Sequence, residues 1–240
     1  NYDIGNPAQP VEVSRWWMPG QHLAGGEMPH WAGNECRLHH AMRHGDRLFA
    51  GCWHAGLRII DIADIKAPKT IGEYNYHPPF PEPSHTFMGL PFQVGGRDLA
   101  IAIDEEDQYY SEAEAEARRG RPHANLWVFD ITDPADMQPL SIYQVSEADS
   151  PWSQKPNTRF GAHQFQENIK DSLIYCAWFS GGLRIVDIAD PRAPREVGYF
   201  LPEPVNGHPA PQTNDVEIDK RGLIYLVDRF TGFDIVEFKG

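Results

Sequence analysis

At 240 residues, 41% hydrophobic and 23% charged, the chain has the composition of a folded protein and the length for one large core or a series of smaller ones. A formal net charge of −13 excludes nucleic acid as a partner, because phosphate-backbone binding needs concentrated Lys and Arg. No run of eighteen apolar residues and no basic-then-apolar leader is visible, so neither a membrane span nor a signal is read. The chain opens on Asn1 in place of Met, so the compartment stays open between the cytoplasm and export after upstream processing.

In chain order, residues 2–17 match the second half of a pattern that is complete only later: a strand, a turn built on Asp and Pro, and a second strand. Residues 36–76 supply a whole unit, with strands expected at Arg37–Arg43, Leu48–Trp53, Leu57–Ile62 and Thr70–Tyr76 around a His44-Gly45-Asp46 turn. A second unit starts near Ser84, turns at Gly95-Gly96, runs through Leu99–Ile103 and resumes at Asn125. Between them lies an insertion, residues 104–124, in which Ser111, Glu112, Glu114, Glu116, Arg118 and Gly120 predict a short capped helix. The third unit spans Phe160 to Phe200 and the fourth Asn214 to Phe238. The three cysteines, Cys36, Cys52 and Cys176, fall in strand-like segments and read as buried free thiols.

Four-stranded units recurring every roughly 40 to 60 residues are the signature of a β-propeller. The fold class is therefore all-β, a propeller of antiparallel blades forming one domain over residues 1–240. The N-terminal stretch is expected to supply the outer strand that the fourth unit lacks. A closed four-bladed ring is one reading. A portion of a larger propeller is the other, and the absent initiator Met favours it.

The segments GLRIIDIAD (from Gly56), NLWVFDITDP (from Asn125) and GLRIVDIADPRAP (from Gly182) resemble the LVIVD-repeat β-propeller family, and the likeness spans nearly the whole chain. The resemblance implies the fold. It implies little about activity, since the family's motif residues are structural. The fourth copy departs from the pattern, with Glu237 where the others have Asp.

In such a blade, the turns joining first to second and third to fourth strands share one face, and here they are short. The long segments 78–83, 104–124, 147–157 and 202–212 share the other face, where functional groups are expected. Three innermost strands begin there with a histidine, a small or polar residue and a large apolar one: His40-Ala41-Met42, His85-Thr86-Phe87 and His163-Gln164-Phe165. Alignment of the fourth unit places Asp215 with His40 and Asn214 with His39.

His40, His85, His163 and Asp215 are thus expected at the axis, as ligands for a divalent transition metal such as Fe, Mn or Zn. Neighbours on a strand face opposite ways, so His39 competes with His40 for the inward position. Glu105, Glu106 and Asp228, at second-strand ends, are the candidate catalytic carboxylates. Duplication also copies a histidine that merely lines a channel, so a hydrogen-bonded lining stands beside the metal reading.

Trp53, Trp178 and Phe179 are candidates for an aromatic wall, or for packing between blades. Arg58 and Arg184 follow the repeat and are expected to pair with carboxylates of neighbouring blades. The resulting expectation is a metal-dependent hydrolase, lyase or oxidoreductase acting on a small organic molecule at the channel mouth. The alternative is a non-catalytic scaffold that binds a protein or surface polymer through its loop-rich face.

Overall fold

The structure is a computed structural model that describes residues 1–28, 35–205 and 207–240. A short hairpin, β1 (Tyr2–Asp3) and β2 (Val11–Glu12), precedes the first blade. That blade is the meander β3 (Cys36–His44), β4 (Arg47–Trp53), β5 (Leu57–Asp61) and β6 (Lys69–Tyr74). The second blade comprises β7 (Ser84–Val94), β8 (Arg97–Asp104), β9 (Leu126–Asp130) and β10 (Gln138–Tyr143), with helix α1 (Glu112–Arg118) inside the insertion. The third comprises β11 (Gln164–Phe165), β12 (Leu173–Ala177), β13 (Leu183–Asp187) and β14 (Arg195–Phe200). The fourth has three strands among the described residues: β15 (Thr213–Ile218), β16 (Leu223–Asp228) and β17 (Gly232–Glu237).

Each part of the repeated motif has a structural task. Gly56 and Gly182 open the third strands at φ of +76° and +74°, and a Cβ on either would lie 2.3 Å from a carbonyl oxygen, that of Tyr74 or Phe200. Only glycine fits there. The Asp that closes each third strand accepts from the backbone two residues on, Asp61 from Ala63, Asp130 from Thr132 and Asp187 from Ala189. The next Asp does the same, Asp64 with Lys66, Asp133 with Ala135 and Asp190 with Arg192. These Asx turns fold the chain back into the fourth strand. The insertion helix forms as expected, with a capping box between Ser111 and Glu114.

Alternation along the strands sends successive side chains to opposite sides of each blade, which is how the blades stack. Ile101 and Ile103 join the core shared with Phe165, Ile174 and Val186 of the third blade. Ala100 and Ala102 face Phe49 and Ile59 of the first. Ile185 turns to Val216, Ile224 and Leu226 of the fourth blade while Val186 turns back. Behind the first blade, Met18 and Trp16 cover Ala50, Cys52, Ile60 and Ile62.

The fold is an open arc of stacked blades, and three expectations change. The N-terminal stretch does not complete the fourth blade: β1 pairs with β2, while Ser14 and Trp16 bond to Ile65 and Thr70 of the first. The far side of the fourth blade is uncovered by the described residues, with Val227, Phe233 and Ile235 exposed to 48%, 65% and 51%. Arg58 and Arg184 pair with Glu73 and Glu196 on the fourth strand of their own blades, not with a neighbouring blade. Cys52 and Cys176 are buried free thiols and Cys36 is half-buried. Among the described residues no helix is long and apolar enough to cross a membrane.

Candidate functional site

Strand pairing gives the register at the axis. The residues that follow the motif's first position, Leu57, Leu126, Leu183 and Phe233, pair with Gly51, Ile103, Ala177 and Val227. Those in turn pair with His40, Thr86, Gln164 and Asp215 on the first strands. These four are equivalent positions, so the residues before them, His39, His85, His163 and Asn214, form a second equivalent set. The expected ligand ring therefore draws on two layers. His85 and His163 belong to one, and His40 and Asp215 to the other.

In the layer nearer the loop-rich face, the rings of His85 and His163 stand 4.3 Å apart, and those of His39 and His85 also 4.3 Å. Glu105 reaches between them. Its Oε2 is 3.7 Å from His85 Nε2 and its Oε1 is 3.6 Å from His163 Nε2. One potential ligand atom each from His39, His85 and Glu105 lie within 4.8 Å of one another, the metal-competent group found among the described residues. His163 donates from Nδ1 to the carbonyl of Asn214, which leaves its Nε2 as a lone-pair donor facing Glu105. The Nδ1 of His39 is buried without a hydrogen-bond partner.

Burial sets the protonation of this group. It holds His163 down at about 3, lowers His39, and drives His85 far below the ordinary histidine range, with the neighbouring imidazoles adding to the effect. All three imidazoles are neutral at pH 7. Burial raises the Glu105 carboxyl, opposed by the guanidinium of Arg159, whose Nη1 donates to Oε1 at 3.0 Å.

The second layer is a hydrogen-bonded lining. His40 Nδ1 meets Thr86 Oγ1 at 3.0 Å and lies 3.5 Å from Gln164 Nε2. Asp215 accepts from its neighbour's backbone, Val216 N, at 2.8 Å.

The remaining candidate carboxylates are engaged elsewhere. Glu106 is buried and accepts from Arg118 Nη2, His123 Nδ1 and the Ala124 backbone, which ties the insertion to the blade. Arg118 also donates to Glu82, and His123 Nε2 meets Glu147. Asp228 accepts from the backbones of Gln212, Phe230 and Thr231, and so shapes its own turn. Of the three, Glu105 alone reaches the histidines.

The position two residues beyond each of these second-strand partners explains why. Counted from the same pairs, Trp53, Glu105, Phe179 and Arg229 are equivalent. Trp53 and Phe179 adopt positive φ, +56° and +30°, rare for aromatic residues and a form of local strain that clusters at functional sites. Their rings lie against His39 and His163, each at 4.8 Å. Trp178, by contrast, packs between blades. Glu105 replaces the aromatic in the second blade, and Arg229 replaces it in the fourth. The sequence left His39 and His40 competing for the inward position, because HAM, HTF and HQF look alike, and pairing offsets the first from the other two by one residue.

The plain face carries a cavity of about 370 Å³ beside His44, Arg47, Phe49, Gly89 and Phe92. It brings no ligand set together, so the chemistry is sought at the axis.

Residues 169–201, the third blade's outer three strands, match the LVIVD repeat family. The third blade thus carries an LVIVD repeat within a β-propeller fold. No curated protein matches this propeller by sequence. Among solved structures it is similar to the major allergen Mala s 1 of Malassezia sympodialis, with TM-score 0.55 and 10% identity over 86% of this chain and 62% of that one. It is also similar to the computationally designed Ika4 protein, with TM-score 0.48 and 8% identity over 86% and 94% of the two chains. A third likeness is to the β-propeller domain of Myceliophteria thermophila Cps50 (Swd1), with TM-score 0.48 and 13% identity over 98% and 62%. The chain spans less than two thirds of the allergen and of the Cps50 structure.

Proposed function

We propose that the axial group binds a divalent transition metal, Fe, Mn or Zn, and serves a metal-dependent enzyme acting on a small organic molecule at the channel mouth. The observation that carries this reading is the convergence of His39, His85 and Glu105, with ligand atoms mutually within 4.8 Å. Two imidazoles and a carboxylate on one side of an ion leave open positions for water and substrate. The neutral imidazoles need lose no proton to coordinate, and the Nδ1 of His39 has no hydrogen-bond partner among the described residues.

Bound there, the metal would supply Lewis acidity. The chain's own part is orientation: Asn214 sets the His163 tautomer, Thr86 stands at His85 Nδ1, and Arg159 holds Glu105.

Elemental analysis of the purified protein, after exposure to each metal and dialysis, tests the proposal. About one equivalent per chain is expected in the wild type, and none in His85→Ala. A wild type without stoichiometric metal, or a His85→Ala variant that retains it, overturns the reading.

A further inference from the structure

Arg159 is 3% exposed, and only part of its hydrogen-bonding capacity is used. Nη1 donates to Glu105 Oε1 at 3.0 Å and to the Glu106 carbonyl at 3.1 Å. Nε and Nη2 are buried and have no acceptor among the described residues. Those two N–H groups form the lateral edge of the guanidinium, a parallel pair that matches the two oxygens of a carboxylate. A charged group's donors left unmatched in the interior are costly, so an acceptor is the missing partner.

The surroundings fit such a guest. The guanidinium is stacked over Phe179 at 4.0 Å and faced by Tyr109 at 4.8 Å. Phe179 is the strained residue that also lies against His163, so the Arg159 guanidinium and His163 share one aromatic neighbour. Arg229, with Nε on Asn214 Oδ1 at 2.6 Å and its guanidinium 5.5 Å from the same Phe179 ring, adds a second cation. Tyr109 is half exposed and sits in the irregular stretch between β8 and α1, so the insertion supplies the solvent-side wall over the guanidinium.

We infer that the Nε–Nη2 edge of Arg159 is a carboxylate-binding subsite, and that the substrate class of the axial site is a small organic carboxylate. The assignment of substrate rests on the metal reading, whereas the subsite itself rests on Arg159. Binding would orient the molecule by its carboxylate with its remainder beside Glu105 and the histidines.

Calorimetric titration tests this, using succinate, its neutral analogue succinamide and inorganic phosphate as probes, on chelator-treated and on Mn²⁺-loaded protein. Saturable succinate binding at one site per chain is expected, with at least tenfold weaker binding in Arg159→Lys, which keeps the charge and loses the paired edge. No saturable succinate binding by the wild type, equal binding by a folded Arg159→Lys, or equal binding of succinamide overturns the subsite. Phosphate held more tightly than succinate overturns the carboxylate assignment. The succinamide arm decides the matter on wild-type protein if Arg159→Lys does not fold. Metal without succinate binding sinks the subsite alone, and succinate binding without metal sinks the metal reading alone.

Discussion

The Nε2 of His85 lies 3.7 Å from Oε2 of Glu105, although one residue is the second of the first strand of the second blade and the other follows the end of its second strand. The two strands are antiparallel neighbours, so the start of one and the end of the other meet at the same face. The relationship repeats in the first blade, where His39 stacks on Trp53, and in the third, where His163 meets Phe179. The second blade alone places a carboxylate there.

The two layers make a sharp distinction between adjacent histidines. His39→Ala is expected to weaken metal retention at least tenfold, while His40→Ala, which removes a contact to Thr86 in the other layer, leaves it near the wild-type level. Metal content after dialysis against a competing chelator reads the difference. Loss in His40→Ala with retention in His39→Ala would reverse the layer assignment.

Arg118 joins two buried carboxylates, Glu82 at 2.8 Å and Glu106 at 3.2 Å. Removing it leaves Glu82 without its cation and Glu106 with His123 alone, and Arg118→Ala is expected to cost about 3 kcal/mol of stability. Urea unfolding of the variant, compared at equal m-value with the wild type, measures the cost. A loss below about 0.5 kcal/mol, the range of an ordinary surface substitution, would show that the clasp does not hold the insertion.

The repeated glycine is expected to matter by position. Gly182→Ala sets a Cβ 2.3 Å from the Phe200 carbonyl at φ +74°, whereas Gly222→Ala at φ +85° meets nothing within 4 Å. The second substitution carries only the left-handed backbone cost of about 1 kcal/mol, and the first adds a clash with main chain. A larger drop in melting temperature for Gly182→Ala is therefore expected.

His77 supplies a pH dependence. Burial lowers it to about 4, and its ring nitrogens meet the Phe80 carbonyl and Ser84 Oγ. The unfolded chain takes up this proton below about 6.5, while the folded chain resists until about 4. Unfolded protein therefore binds more protons across that window, and stability falls as pH falls through it, by up to about 3 kcal/mol from this group. His77→Gln is expected to flatten the corresponding part of a stability-against-pH curve measured in urea. Parallel curves for the two proteins would show that His77 is not responsible.

The sequence by itself determined the blades. A strand has a period of two, and a turn of glycine, aspartate and proline has few conformations, so GLRIIDIAD and GLRIVDIADP announce the same third strand wherever they occur. The capped helix of the insertion and the buried thiols were legible for the same reason, since local patterns specify them.

Only the tertiary structure decided which histidine meets which. Strand-pairing irregularities between Cys36 and His40, between Ser84 and Thr86 and between Thr213 and Asp215 shift the register at the channel mouth, and a slip of one residue turns a side chain to the other layer. The convergence of Glu105 and Arg159 is likewise non-local: the two are far apart in sequence and meet because the third blade packs on the second.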